Sequence, residues 1–434
     1  MNAYNPLAEG LNQDIKAGAP QIFHMLSERG KAIYFPFKGI LGQTAEAKNA
    51  KINATIGTAF ENDGSPLTLE CMEAMVNVPS ESFLYAPSFG LARLREEWGK
   101  LLAVKNPGLE GKTFSQPVVT AALTHALSIA GYLFVDPGDE ILMPDLYWDN
   151  YELVYCETYG AKFSFYNTFV NGGFDVQAFS RALNAGKTGK RIVLLNFPNN
   201  PTGYTPTESE ASALALEIRK AAEAGNQVIV ILDDAYFGLV YEDGIARESL
   251  FSSLVDLHPN VLGVKLDGAT KEDYVWGFRV GFITFGFKGA GAAHLKALEN
   301  KAAGAVRGTI SNAPCVSQSI LLKAYTAPEY AGQKKQKYQI LTERVRKIRE
   351  TFKAHPEYSK SFEVMPFNSG YFMCVKPIGV DNEELRQELI AHYSTGVIVL
   401  SGLIRLAFSA VPTSLIESLF ANLHSAIQKL QNKA

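Results

Sequence analysis

Asp267-Gly-Ala-Thr-Lys271-Glu-Asp-Tyr-Val-Trp-Gly-Phe-Arg279-Val-Gly281 lies between two apolar runs, residues 261–266 and 280–285, and sets Lys271 eight residues before Arg279. Each run is short, rich in Val, Ile, Leu and Phe, and apolar throughout rather than alternating, which predicts strands covered on both faces. Working outward, similar runs occur at 118–120, 140–143, 162–166, 191–196 and 228–233, with helical segments between them. Strand, helix, strand repetition predicts an α/β fold, a mainly parallel seven-stranded sheet flanked by helices. One helix start is well marked. Thr205-Pro206-Thr207-Glu208 offers Thr205 as N-cap, proline at N1 and glutamate at N3, with Gly225 as the stop.

Beyond residue 320 the texture changes. Residues 329–355 are dense in Lys, Arg, Gln and Glu around Ile340, Leu341, Val345, Ile348 and Phe352, which predicts one long amphipathic helix with a solvated charged face. Strand signals follow at 362–366, 371–375, 397–399 and 403–408, then a terminal helix from about Pro412. A smaller α+β domain is therefore expected toward the C-terminus.

At 434 residues the chain is long enough for two domains. A net charge of -3 gives no reason to expect nucleic acid or an anionic membrane as a partner. Cys71, Cys156, Cys315 and Cys374 have neither CxxC spacing nor histidines nearby, so structural zinc is not expected and free thiols in a reducing compartment are. The first residues lack a basic and apolar leader pattern, and the apolar stretch around 126–135 is too short to span a bilayer. The expectation is a cytoplasmic enzyme.

Chemistry is carried by fragments in series. Asp233 closes the run 228–232, at the strand end where doubly wound sheets collect their functional groups. A carboxylate there can keep a pyridine nitrogen protonated, although a lone aspartate at a strand end reads equally well as an N-cap or a loop salt bridge. The spacing to Tyr236 favours Asp233 over Asp234. Asn200, in Asn199-Asn200-Pro201-Thr202-Gly203, follows the preceding strand; as plain structure this is a turn, and at a carboxyl edge Asn200 can donate with Tyr236 to a phenolic oxygen. Lys271 follows its strand by a short loop, whereas its rival Lys265 lies inside the strand and lacks the offset to Arg279. Burial would make Lys271 the neutral amine needed for attack on an aldehyde. Thr120-Ala-Ala-Leu-Thr124 reads as a strand end turning into a helix, whose first N–H groups at Ala122, Leu123 and Thr124 form an anion site. Tyr147, after the next strand, is placed to stack on a ring or to serve as plain core. His125 has no ligand-type neighbours and is assigned no role. Asparagine, aspartate, tyrosine, lysine and arginine in series are what pyridoxal-phosphate chemistry needs: partners for the ring hydroxyl and nitrogen, an amine for the aldehyde, and a cation for the phosphate.

On these residues the chain resembles the fold-type I pyridoxal-phosphate aminotransferases of class I, and most of all the aspartate aminotransferase group. The resemblance implies a large cofactor domain at residues 58–321 and a small domain combining 1–57 with 322–434. By that similarity Ile56 and Gly57 line the substrate pocket, and Phe372, in Ser369-Gly-Tyr-Phe372, flanks the substrate. Arg405, in Ser401-Gly-Leu-Ile-Arg405, is similar to the arginine that forks the substrate α-carboxylate. Tyr85 and Arg307 look like residues given to a partner subunit's site, the first to the cofactor phosphate and the second to a side-chain carboxylate. A homodimer with shared active sites is implied, moving an amino group from aspartate or an aromatic amino acid to a 2-keto acid such as 2-oxoglutarate. The chain departs from the pattern at Gly268, where the family commonly has a phosphate-binding serine, at Ala122-Leu123, where it has small Ser/Gly residues, and at Tyr147, where it has tryptophan. A carbon–sulfur lyase on the same scaffold, or a ligand-sensing domain without catalysis, are the alternative readings.

Overall fold

The computed structural model describes residues 4–36 and 39–432. Seven strands form one sheet: β1 (Val118–Thr120), β2 (Glu140–Pro144), β3 (Lys162–Tyr166), β4 (Lys190–Asn196), β5 (Gln227–Asp233), β6 (Val261–Gly268) and β7 (Gly281–Gly286), in the order β1-β7-β6-β5-β4-β2-β3. All neighbours are parallel except β7, which runs antiparallel to both β6 and β1.

The unbroken apolar character of β4 and β5 has its cause in two separate cores. Ile192, Leu194 and Ile231 face Leu123, Ala126 and Leu127 of the helix Ala122–Phe134. Val193, Leu195, Val230 and Leu232 face Leu214, Ile218 and Ala222 of the helix Glu208–Glu223. Successive side chains of a strand point to opposite faces, so a sheet clad on both sides needs every position apolar.

A third core belongs to an antiparallel sheet of β8 (Phe362–Val364), β9 (Phe372–Pro377), β10 (Ile398–Leu400) and β11 (Leu403–Ala407), ordered β8-β9-β11-β10 and packed against the terminal helix Ile416–Gln431. The pair Ile52–Asn53 joins Thr395–Gly396 in parallel, and the Ala407 N–H donates to the Ala54 carbonyl, so residues 52–57 run along this unit toward the large sheet. Gln43, on the helix Ile40–Glu46, exchanges two hydrogen bonds with the Val399 backbone (2.7 and 3.0 Å) and fixes that helix to the edge strand β10.

Two local expectations are corrected. The helix predicted to start at Thr205 is capped by Thr207, with Glu210 completing the capping box and the helix spanning Glu208–Glu223. Thr205 is drawn away by Asn368 and Ser369, whose side chains take its N–H and hydroxyl. The long helix, Tyr330–Ala354, does not keep all its charge in water. Arg344 is fully buried and donates to the Ser409 and Phe60 carbonyls, and Lys334 reaches a buried acid pair.

Candidate functional site

The register of the large sheet aligns Asn196 with Asp233 and Gly268 with Gly281, so one edge gathers the ends of β4, β5 and β6, the start of β7 and the first turn of the helix after β1. A cavity of about 290 Å³ opens there. It is lined from the large sheet by Ala122, Leu123, Thr124, Asn200, Asp233, Tyr236, Lys271 and Arg279, and from the other unit by Gly57, Phe372 and Arg405. Residues far apart in sequence thus meet at the carboxyl edge, where ligands of open α/β sheets bind.

Lys271 sits on the short helix Ala269–Glu272, its Nζ 5.2 Å from the centre of the Tyr236 ring. Burial lowers its pKa to about 8, against the opposing pull of the Asp233 carboxylate and with help from Arg279. Asp233 is buried and accepts from the Tyr151 hydroxyl at Oδ2 (2.6 Å) and from the Ala235 N–H at Oδ1 (3.2 Å). Burial raises its pKa, while the Tyr151 hydrogen bond and the Lys271 charge hold it down. The Tyr236 phenol is also raised by burial, with the Arg405 guanidinium opposing.

Arg405 is buried on β11, donates to Asn200 Oδ1 (3.2 Å) and the Thr55 carbonyl (3.0 Å), and lies 4.4 Å over the Phe372 ring. Its Nε has no hydrogen-bond partner, and among the described residues no carboxylate is within ion-pair distance of it. A buried guanidinium in that state is suited to a carboxylate from outside the chain. Arg279 is exposed at φ +54 with one long hydrogen bond to the Trp276 carbonyl (3.4 Å), leaving its remaining donors to the cavity. The helix Ala122–Phe134 begins with no side-chain cap, and Ala122 takes φ +64, so its first turn points backbone at the same space.

The sequence rivals fall elsewhere. Asp234 and Lys265 pair with each other behind the sheet edge, joined by Asp267 and the Ser249 hydroxyl. His125 closes the helix start instead, its Nδ1 accepting from the Ala121 N–H (3.0 Å) and its Nε2 lying 2.9 Å from the Thr309 hydroxyl. Tyr147 does not line the cavity; it stacks on Phe165 and donates to Glu152, and the aromatic facing the cavity is its neighbour Trp148. Ile56 is replaced at the cavity wall by Ile40, carried in by the helix that Gln43 fixes. Tyr85 is 91% exposed, Arg307 is exposed and donates to Ser311 Oγ (2.8 Å), and neither lines the cavity of its own chain. Sequence reasoning missed Trp148, Tyr151 and Ile40. No periodicity marks Tyr151 in the sequence; it opens the stretch that leads into a π-helical turn at Glu152–Glu157, a feature frequent at functional sites.

A family model described as aminotransferase class I and II matches residues 56–423. An aspartate aminotransferase of Bacillus subtilis (strain 168) is 26% identical over 345 residues, 78% of this chain and 78% of that protein. A probable N-acetyl-LL-diaminopimelate aminotransferase of the same organism is 28% identical over 200 residues, 46% of this chain and 47% of that protein. Among solved structures, the cytoplasmic aspartate aminotransferase of Saccharomyces cerevisiae superposes with a TM-score of 0.76 over 95% of this chain and 100% of that one, at 19% identity, a likeness of fold.

Proposed function

We infer from the site how this chain, which belongs to the class I and II aminotransferases, carries out the amino-group transfer that its family performs: with pyridoxal 5'-phosphate in the cavity, Lys271 as the working amine and Arg405 as the carboxylate clamp. The observation that carries the reading is the meeting, in one cavity, of a half-buried lysine with pKa lowered to about 8, a buried carboxylate and a buried arginine that has no carboxylate within ion-pair distance among the described residues.

The residues present fit that cofactor. A Cβ on Gly281 would meet the Ala122 backbone at 2.7 Å, so the helix start lies as close to the sheet edge as glycine permits, with Thr124 and Arg279 beside it for a phosphate. With the cofactor bound, Asp233 would pair with the ring nitrogen, and Asn200 and Tyr236 would meet the ring hydroxyl. Trp148 supplies an aromatic wall for stacking. When bound, pyridoxal phosphate supplies an aldehyde that takes up the amino group and a ring that accepts an electron pair.

The chain does the rest. Arg405 binds the α-carboxylate of the incoming amino acid bidentately and orients its Cα. Lys271 Nζ, neutral in an appreciable fraction near pH 8, takes the proton from Cα and returns it on the far side of the transfer. The Tyr151 hydrogen bond and the Lys271 charge favour the ionised form of Asp233 against its burial, and that carboxylate would hold a proton on the ring nitrogen. Trp148, Ile40 and Phe372 keep water from these atoms.

Aspartate or an aromatic amino acid as donor, with a 2-keto acid such as 2-oxoglutarate as acceptor, suits a clamp for one carboxylate and an apolar wall at Ile40, Trp148 and Phe372. A homodimer suits the exposure of Tyr85 and Arg307, each brought to the other copy's cavity, and the apolar Val76, Phe83 and Leu84 exposed beside Tyr85. Four free cysteines suit the cytoplasm. The test is an absorbance scan of the purified, cofactor-loaded protein while single amino acids and keto acids are added. Spectra that change with an amino donor and revert with a keto acid support the reading. A spectrum indifferent to every amino acid sinks it.

A further inference from the structure

The helix Ala122–Phe134 starts under strain. Its cap residue, Ala121, offers no side-chain acceptor, and Ala122 takes φ +64, the left-handed region that a residue with a Cβ keeps only where its surroundings hold it. One turn on, His125 provides a hold. Its Nδ1 accepts from the Ala121 N–H (3.0 Å), doing for the cap residue what the glutamate of a capping box does. A backbone N–H can only donate, so Nδ1 carries no proton and the hydrogen of the ring is on Nε2. Nε2 lies 2.9 Å from Thr309 Oγ1, and that hydroxyl gives its own proton to the Ala305 carbonyl (2.9 Å), which leaves its lone pairs for the ring. Donors and acceptors therefore agree along the whole row, from the helix Ala292–Ile310 to the turn at Ala121. Burial lowers the imidazole pKa and so favours this neutral ring.

What this row steadies is a wall of the cavity. Ala122, Leu123 and Thr124 line it, whereas His125 does not. The first N–H groups of a helix have no partner inside it, so the direction of the first turn decides what they meet. Three contacts set that direction here. Gly281 limits how far the turn sinks, and the Thr120 hydroxyl donates to the Ala122 carbonyl (3.0 Å). His125 holds the peptide N–H on the other side of the strained residue. We propose that His125 is a positioning residue of the cofactor site: with its proton on Nε2 it fixes the Ala121–Ala122 turn and keeps the helix start aimed into the cavity, without touching the cofactor. The proposal rests on the pyridoxal-phosphate reading above.

Two substitutions and one spectrum test it. His125→Phe keeps a ring and removes the acceptor, whereas His125→Asn puts a carbonyl oxygen in the place of Nδ1. Cofactor-free protein is titrated, by quenching of intrinsic fluorescence, with pyridoxal 5'-phosphate and separately with pyridoxal, which lacks the phosphate that the helix start would meet. The Phe variant should bind pyridoxal 5'-phosphate roughly three- to thirtyfold more weakly, the range for loss of a helix-cap hydrogen bond, and pyridoxal as wild type does. The Asn variant, which keeps the acceptor, should stay within about twofold of wild type for both ligands. In cofactor-free wild type carrying isotope-labelled histidine, the nuclear magnetic resonance signal that vanishes in His125→Asn should report the tautomer protonated on Nε2. A ring protonated on Nδ1 overturns the proposal, as does a Phe variant that loses both ligands equally or neither, or an Asn variant as weak as the Phe variant. Should His125→Phe fail to fold, the tautomer and the Asn variant decide: an Asn variant that loses pyridoxal 5'-phosphate selectively overturns it. Wild-type protein that binds neither ligand overturns the reading beneath it, an outcome that the ligand-free spectrum keeps distinct from a failure of His125.

Discussion

Lys271, half-buried, and Lys265, fully buried, stand six positions apart in surroundings that give the two amines opposite fates. Burial would pull Lys265 down, but the Asp234 and Asp267 carboxylates hold it above the ordinary lysine value and fully charged. At Lys271 burial outweighs the Asp233 charge, with Arg279 adding to the fall, and the value drops to about 8. Lys271→Ala should therefore abolish both turnover and the borohydride-reducible adduct with the cofactor aldehyde while the fold survives; an adduct that persists would move the anchor to another lysine. The sign of the pH dependence follows from the same shift. Below pH 8 the amine is mostly protonated and cannot attack, so the rate at which cofactor-free protein takes up pyridoxal phosphate should climb with pH and level off above about 8. A flat profile between pH 6 and 9 would mean that Lys271 is not the group that titrates. Asp233→Ala should lower turnover on the order of a hundredfold or more with a much smaller loss of cofactor affinity, because the phosphate contacts remain. Tyr151→Phe, which removes the hydrogen bond that favours the ionised form of Asp233, should act in the same direction by less. Turnover and dissociation constants measured side by side separate the two effects.

Short elements, more than long ones, set the position of the working groups. The turn that carries Lys271 continues into Glu272 and Asp273, both buried, and four side chains from other helices hold them. Lys105 reaches Glu272 (2.8 Å), Lys334 reaches both acids (2.7 and 2.9 Å), and the hydroxyls of Tyr325 and Tyr330 donate to Asp273. Removing one partner of a buried charged group costs about 3–5 kcal/mol, so Lys334→Met should lose stability on that scale in urea unfolding. Burial alone would raise Glu272, and the Lys105 and Lys334 ammoniums bring it to about 2. A depressed carboxyl stabilises the fold above its unfolded value near 4.5 and loses that contribution as pH falls toward 2, so the gap between wild type and Lys334→Met should narrow across that window. Unequal legibility has the same physical root. The seven strands of the large sheet could be read within two residues, the inner ones because burial on both faces writes an unbroken apolar run, and the edge strand β3 from its aromatic residues although Phe165 is exposed. The charges of Tyr330–Ala354 could not be sorted, because Lys334 and Arg344 differ from their solvated neighbours only in what folds against them. Trp148 and Tyr151 were obscured in a run of aromatics at 147, 148 and 151, where no period says which ring turns inward, and Thr207 displaced Thr205 as a cap only because distant Asn368 and Ser369 claim the latter.

At the scale of the whole molecule, two of the residues that the resemblance gives to the site are on the surface of their own chain. Arg307 lies in the last turn of the helix Ala292–Ile310 and donates to Ser311, and Tyr85 is almost wholly in solvent. If Arg307 pairs with a substrate side-chain carboxylate, it does so across a subunit boundary. Truncating one partner of a desolvated charge pair costs roughly 2–5 kcal/mol, about thirty-fold to several thousand-fold in kcat/KM. Arg307→Ala should lose that much with aspartate and far less with phenylalanine, which offers no second carboxylate, whereas Arg405→Ala should damage both because both carry the α-carboxylate. Equal losses for the two donors at Arg307 would reduce it to a surface group. Mixing variants then asks which chain it serves. In a hybrid of a Lys271→Ala chain with an Arg307→Ala chain, one cavity lacks both groups and the other combines the Lys271 of the second chain with the Arg307 of the first. Service in trans therefore returns activity toward aspartate to two preparations that are each crippled alone, roughly a quarter of the wild-type level if pairing is random, since half the dimers are hybrids with one complete site each. Service in cis returns none, because the only chain with a working lysine has lost its arginine. Unfolding and refolding the two variants together, against the same variants refolded apart and then mixed, distinguishes the cases in a single assay of aspartate turnover.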